Sequence, residues 1–422
     1  MTARVDAEST VDAEAVEAAA ERLAGVVSRS PVELNERLSA RIGSAVWLKR
    51  EDLQPVRSYK VRGAFNLMAQ LDERQRAAGV VCASAGNHGQ GLAFACDALG
   101  LKGRVYLPRT TPRQKRDRIN LLGGGNVEIL VVGDTYDEAA EAAADDAGRT
   151  GATLVPAFDH AHTIAGQGTV ILEAFDQLGR VPDVVVVPVG GGGLLAGALA
   201  WLSERHPGVR VVGVEPAGAA CMAAAVTAGA PLELADIDTF VDGAAVKRAG
   251  DVTYPIVRDG QPELVVLDEG RVCIELLELY QSDGVIAEPA GALAAAALGN
   301  VIEIASGSTV LAILSGGNND VSRYAEIVER ALVHEGRKHY FLVDFPQEPG
   351  ALRRFLDEVL GPEDDITLFE YVKRNNRETG PALVGIELGT PDDLNPLRER
   401  MEQAPPPFEQ LPADTPLFRF LL

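Results

Sequence analysis

The run VVVVPVGGGGLLAGALAWLSER (Val184–Arg205) sets the architecture. Four successive valines without polar alternation describe a strand buried on both faces, and such strands belong to parallel sheets covered by helices. Gly190–Gly193 break the strand, and a helix opens at Leu194. The same alternation repeats on either side. VVCAS precedes HGQGLAFACDAL, RVYLP precedes TPRQKRDRINLL, VEILVVG precedes TYDEAAEAAADDAG, TLVPAF precedes AGQGTVILEAFDQL, and VRVVGVE continues the series. With a leading helix from about residue 12, the expectation is an α/β doubly wound parallel-sheet fold in two lobes.

Near residue 335 the pattern changes. KHYFLVDFP reads as a strand and EPGALRRFLDEVL as a helix entered through Pro349-Gly350. DITLFEYVKR and ALVGIEL read as strands joined by the turn NNRETG, and DDLNPLRERMEQ as a second helix. LFRFLL reads as a last strand after the proline-rich connection APPPFEQLPADTP. The order βαββαβ is the ferredoxin-like split motif, an α+β fold. The expected organisation is one domain over residues 1–334, its smaller lobe (roughly 50–155) inserted in the larger, and a second over 335–422.

The 422-residue chain is 46% apolar and carries a formal charge of −22. A large aliphatic core is available, and the excess of carboxylates repels phosphates, which argues against nucleic acid or anionic membrane as a main partner. No apolar run approaches a membrane span, and the acidic start MTARVDAEST lacks the basic-then-apolar order of a signal peptide, so a cytoplasmic protein is expected. Cys82, Cys96, Cys221 and Cys273 form no CxxC pair and no ligand-like spacing with the histidines, and read as reduced core thiols.

Ligands of open parallel sheets bind beyond the carboxyl ends of strands. Gly190–Gly193 lie at such an end, where unhindered N–H groups and a helix N-terminus suit a phosphate. Gly191, Gly193 and Ala196 also match G-x-G-x-x-A, with Glu215 closing the next strand at the ribose-binding distance, so a dinucleotide is a rival ligand. Ser84–His88 join a strand to a helix as a second anion-binding start or as a simple capped turn. Ser315–Asn318 follow TVLAIL as a third loop, of a kind common in proteins. The fourth segment is SYKVRGAFN (Ser58–Asn66). With Ser58 as cap, Lys60 falls in the first turn of a helix, where the dipole disfavours a cation. That penalty and burial lower an amine's pKa and favour the neutral nucleophile that carbonyl chemistry needs. A solvated surface charge is the plainer reading of any lysine. A phosphate cradle plus an activated lysine points to pyridoxal phosphate, whereas a dinucleotide leaves Lys60 idle.

Together, KREDLQPVRSYKVRGA, ASAGNHGQG, PVGGGGL, AEPAGA and LSGGN resemble the threonine dehydratase family within the fold type II enzymes of pyridoxal phosphate, over about residues 20 to 330. The tail from GRKHYFLVDF to VGIEL resembles the ACT-like regulatory domain of the biosynthetic branch, present once. The resemblance implies that Lys60 forms the internal aldimine and acts as catalytic base, and that Asn87 bonds the cofactor's phenolic oxygen. Gly190, Gly191, Gly192, Gly193 and Leu194 would hold its phosphate, and Ser315 would face its pyridine nitrogen. Ser84, Ala85, Gly86, Asn87 and His88 would grip the substrate carboxylate. Glu288 and Pro289 would line the cofactor pocket, with Glu288 equally readable as a structural salt-bridge partner. Ala85 stands where racemising relatives carry serine, which favours elimination. After Glu215 no acid follows until Glu233, so no metal is expected there. The implied activity is β-elimination of L-threonine to 2-oxobutanoate and ammonia, on the way to isoleucine. Feedback by isoleucine through the C-terminal domain and a homotetramer are the family expectation. Serine dehydratase or catabolic threonine dehydratase is the near alternative, and a dinucleotide-dependent oxidoreductase the remote one.

Overall fold

The computed structural model describes residues 11–371, 378–404, 406–412 and 415–421. It contains two compact units, Met1–Asp320 and Val321–Leu422.

In the first unit Val184–Pro188 is an interior strand, parallel to Thr309–Leu314 on one side and to Arg210–Pro216 on the other. Every residue of Val184–Pro188 and of Thr309–Leu314 is buried, which is why neither run alternates. Ala45–Arg50 and Glu263–Leu267 extend this sheet in parallel, and the short Val32–Leu34 closes one edge antiparallel, making six strands. A second sheet is wholly parallel, with four strands in the order Val127–Val131, Gly103–Leu107, Val80–Ala83, Thr153–Leu154. Helices Lys60–Met68 and Ala161–Leu178 meet backbone to backbone. A Cβ on Gly63 would lie 2.7 Å from the Thr163 carbonyl oxygen, and one on Gly166 2.7 Å from that of Arg62, so any side chain there would push the Lys60 helix away. All four cysteines are buried and none forms a disulfide. Among the described residues, no helix is long and apolar enough to cross a membrane.

The second unit has the βαββαβ order, with the antiparallel sheet ordered Asp365–Tyr371, Thr379–Glu387, Lys338–Pro346, Phe408–Gln410. Helices Ala351–Val359 and Leu394–Gln403 share a core with Phe341, Val343 and Phe345 from one face of the central strand. Part of the expected turn NNRETG, residues 375–377, lies outside the described residues. The C-terminal end corrects the reading of the sequence. The last strand, Phe408–Gln410, sits inside the proline-rich connection, and Pro416–Leu421 is a helix. Thr415 Oγ1 accepts from the Phe418 N–H at 3.3 Å and Pro416 follows it, a cap and a first-turn proline that start a helix. Phe418 then packs edge-on against Tyr340, 5.6 Å between centroids, on the sheet face opposite the two helices. A short apolar run suits either conformation, and burial of Tyr340 selects the helix.

Candidate functional site

Lys60 opens the helix Lys60–Met68, as expected, but Ser58 is not its cap. Tyr59 occupies the cap position without a side-chain bond. The Ser58 backbone instead bridges Gly316 in an antiparallel pair, and the Tyr59 N–H donates to the Ser315 carbonyl at 3.1 Å. The Gly317 N–H bonds the Arg57 carbonyl at 2.9 Å. Strand-like pairing with the Ser315 loop thus sets where the helix begins and seats Lys60 beside Ser315. The Ser58 hydroxyl is buried and has no partner among the described residues. Lys60 is half-buried, its amine 5.5 Å from the Tyr59 ring centroid. Burial pushes its pKa down to about 8, against the opposing pull of the Glu288 carboxylate.

The Asn87 loop approaches from the second sheet. Val80–Ala83 ends in Ser84-Ala85-Gly86, and Asn87 begins the helix Asn87–Leu99. Asn87 Nδ2 donates to Glu288 Oε1 at 2.5 Å, and Asn318 Nδ2 donates to Asn87 Oδ1 at 2.6 Å. The Asn87 amide is therefore oriented from both ends. Glu288 is buried, and burial, helped by Asp242, pushes its pKa up to about 7. His88 is buried as well. Its Nε2–H donates to the Val155 carbonyl at 2.7 Å, which leaves Nδ1 an acceptor with no partner among the described residues. Burial holds the ring neutral, with its pKa down to about 4. Gly91 brings this helix against the Lys60 turn, since a Cβ there would lie 3.2 Å from the Lys60 carbonyl oxygen. Ser315 is buried, its hydroxyl donating to the Ala290 carbonyl at 3.3 Å. The structure thus brings Lys60, the Asn87 loop, Glu288 and Ser315 together.

The glycine bend reaches this group through the turn Val241–Ala244. A Cβ on Gly190 would lie 2.9 Å from Ala244 Cα, and one on Gly243 would lie 3.5 Å from Glu288 Oε1. The bend's own glycines are required by packing: a Cβ on Gly191 would meet the Phe158 ring at 2.3 Å, and Gly192 has φ +94°. Among the described residues, no backbone acceptor takes the N–H groups of Gly190, Gly191, Gly192, Gly193 or Leu194. Five such donors around the N-terminus of the helix Gly193–Arg205 are the chemistry of an anion site. Glu215 corrects the dinucleotide reading. Its buried carboxylate accepts from the Met222 and Ala223 N–H groups at 2.7 Å each, so it caps the helix Cys221–Ala228 and is spent before it reaches a ribose.

Asn318, Tyr59, Gly243 and Thr253, whose hydroxyl bonds the bend, are neighbours that motif reading did not single out. Asn318 lay within the quoted loop. Tyr59 lay within SYKVRGAFN, whereas Gly243 and Thr253 carry no local signal, because their roles come from segments distant in the chain.

Residues 23–316 match the family model described as pyridoxal-phosphate dependent enzyme, and residues 329–421 match the C-terminal regulatory domain of threonine dehydratase. Over 409 residues the chain is 59% identical to the L-threonine dehydratase biosynthetic IlvA of Mycobacterium tuberculosis, covering 96% of this chain and 95% of that protein. Among solved structures, the processed form of threonine deaminase isoform 2 from Solanum lycopersicum superposes with a TM-score of 0.70 at 35% identity, covering 78% of this chain and 97% of that one. Maize serine racemase superposes with the same TM-score, 0.70, at 30% identity over 77% of this chain and 99% of its own. Backbone similarity therefore does not separate elimination from racemisation, and the residues of the site have to. A lowered lysine beside a helix-borne anion site suits a phosphorylated aldehyde, and the chain belongs to the pyridoxal-phosphate dependent enzymes of fold type II.

Proposed function

We propose that the protein is an ammonia-lyase that converts L-threonine to 2-oxobutanoate and ammonia, a first step of isoleucine biosynthesis. The observation that carries this reading is the Lys60 amine, half-buried, lowered to about 8 and flanked by Asn87, Glu288 and Ser315. The identity to the M. tuberculosis dehydratase over nearly the whole chain supports it. The N–H groups of Gly190–Leu194 would hold the coenzyme phosphate, Asn87 its phenolic oxygen and Ser315 its ring nitrogen, with Glu288 behind Asn87. When bound, the coenzyme supplies an aldehyde for the amino group and an electron-withdrawing ring. Lys60, neutral above about pH 8, takes the proton from the threonine Cα. Ser84–His88 would present backbone N–H groups at a helix start to the substrate carboxylate, with the His88 ring neutral and adding no charge of its own. Hydroxide departs from Cβ with a proton as water, and the released enamine takes up water to give the 2-oxo acid and ammonia. Ala85 offers no hydroxyl to return a proton from the opposite face, which favours elimination over racemisation.

The C-terminal unit, by its match to a regulatory domain of threonine dehydratase, would bind an amino-acid effector, and isoleucine as end product is the proposed one. A cytoplasmic homotetramer completes the proposal. Absorbance spectra of the purified protein, titrated with threonine, serine and isoleucine, test it. Expected are a visible coenzyme band, 2-oxobutanoate formation with threonine preferred over serine, and inhibition by isoleucine. A colourless protein that stays inactive with added coenzyme would overturn the activity. A preference for serine, or indifference to isoleucine, would turn the reading to serine dehydratase or catabolic threonine dehydratase. Sedimentation measures the assembly.

A further inference from the structure

The carbonyl groups of the glycine bend are tied back into the protein. The fully buried Thr253 hydroxyl donates to the Gly191 carbonyl oxygen at 2.6 Å, and the Gly250 N–H lies 3.4 Å from the same oxygen. The Cys221 thiol lies 3.5 Å from the Gly190 carbonyl oxygen. In a planar trans peptide, the C=O and the following N–H point in opposite directions. Anchoring the Gly190 and Gly191 oxygens therefore turns the N–H groups of Gly191 and Gly192 to the other side, where no backbone acceptor among the described residues meets them. Glycine peptides left free would sample both orientations. Thr253 is itself held. The N–H groups of Asp251, Val252 and Thr253 donate to the Asp159 carboxylate at 2.9, 2.7 and 3.3 Å. Asp159 follows Phe158, whose ring covers the bend at Gly191.

We infer that Thr253, held in place by Asp159, is a positioning residue for the coenzyme phosphate: it fixes the Gly191 carbonyl and so aims the Gly192 N–H into the anion site. This rests on the reading that Gly190–Leu194 hold that phosphate. Thr253→Val keeps the shape of the side chain and removes the donor. Holoenzyme is stripped of coenzyme and titrated in parallel with pyridoxal phosphate and with pyridoxal, which carries the aldehyde but no phosphate. Loss of one buried hydrogen bond raises the dissociation constant for pyridoxal phosphate by about tenfold. The constant for pyridoxal stays at its wild-type value, and Thr253→Ser restores phosphate-dependent binding. Equal weakening of both ligands, or of neither, in folded Thr253→Val overturns the inference. If that variant does not fold, Asp159→Ala is titrated in the same way. A smaller loss confined to pyridoxal phosphate supports the role, and its absence overturns it. Wild-type protein that holds pyridoxal and pyridoxal phosphate equally tightly overturns the phosphate reading itself, and the role of Thr253 with it.

Discussion

The turn around Lys60 and the cluster around Arg62 share one helix yet treat a positive charge in opposite ways. Arg62 is fully buried between two carboxylates, bonding Glu51 at 2.8 and 2.9 Å and Glu173 at 3.0 and 3.1 Å. Burial works against its charge, but Glu51 and Glu173 outweigh that and hold its pKa above the ordinary value. Lys49 joins the cluster, donating to Glu173 at 2.5 Å and to the Ser30 carbonyl at 2.6 Å. At Lys60 the Glu288 carboxylate pulls the other way, but burial wins and the pKa falls to about 8. One cation is locked in the charged state and anchors the helix, while the other is left free to give up its proton. Adjacent carboxylates outweigh burial at Arg62, whereas at Lys49, in the same cluster, burial still wins and lowers the amine's pKa.

This contrast can be broken in several ways. The heaviest blow is Lys60→Ala, which removes both the coenzyme's attachment and the base. Turnover with added coenzyme is expected to fall by about a thousandfold or more, with loss of the visible band; kcat within tenfold of wild type would refute the role. Arg62→Met takes from Glu51 its bonded cation and leaves Glu173 with Lys49 alone, and breaking such a buried pair costs about 3–5 kcal/mol. Urea unfolding followed by fluorescence should show the transition of the first unit moving to markedly lower denaturant. An unchanged midpoint would mean that the cluster anchors nothing.

The titration of Lys60 sharpens the comparison further. Its folded pKa lies below 10.5, at about 8, so the neutral amine is scarce at pH 6 and dominant above pH 8. The rate at which coenzyme-free protein captures pyridoxal phosphate should rise roughly tenfold per pH unit below 8 and level off above it. Because Glu288 pulls the Lys60 pKa upward, Glu288→Gln should move that midpoint lower. A midpoint near 10.5 in stopped-flow absorbance would place the amine in water. The smallest effect is expected for Ser315→Ala, which removes a buried hydroxyl whose bond to Ala290 is a long 3.3 Å. A loss of about 1 kcal/mol, a few-fold in coenzyme affinity by equilibrium titration, is the expected scale.

Much of this site was legible because strand ends announce themselves. Uninterrupted valines followed by Gly190–Gly193, and VVCA followed by Ser84–His88, mark where apolar runs stop and backbone donors gather. The errors came where a distant segment overrode a local preference. Ser58 looks like a cap, but its backbone is claimed by Gly316, far along the chain. LFRFLL looks like a strand, but Phe418 has to cover Tyr340. Glu215 sits at ribose distance in the sequence, yet the helix it caps consumes its carboxylate.

Residue order alone thus specified most of the strands and helices, the C-terminal end excepted, and which residue types could do chemistry, because periodicity and backbone hindrance are local properties. The state of those residues was set by folding. Lys60 is lowered, Glu288 raised and His88 neutral because burial and partners from other segments act on them. The orientation of the glycine peptides depends likewise on Thr253, a contact that no local pattern encodes. Charge and peptide direction depend on distance in space, and distance in space is what the chain acquires only when it folds.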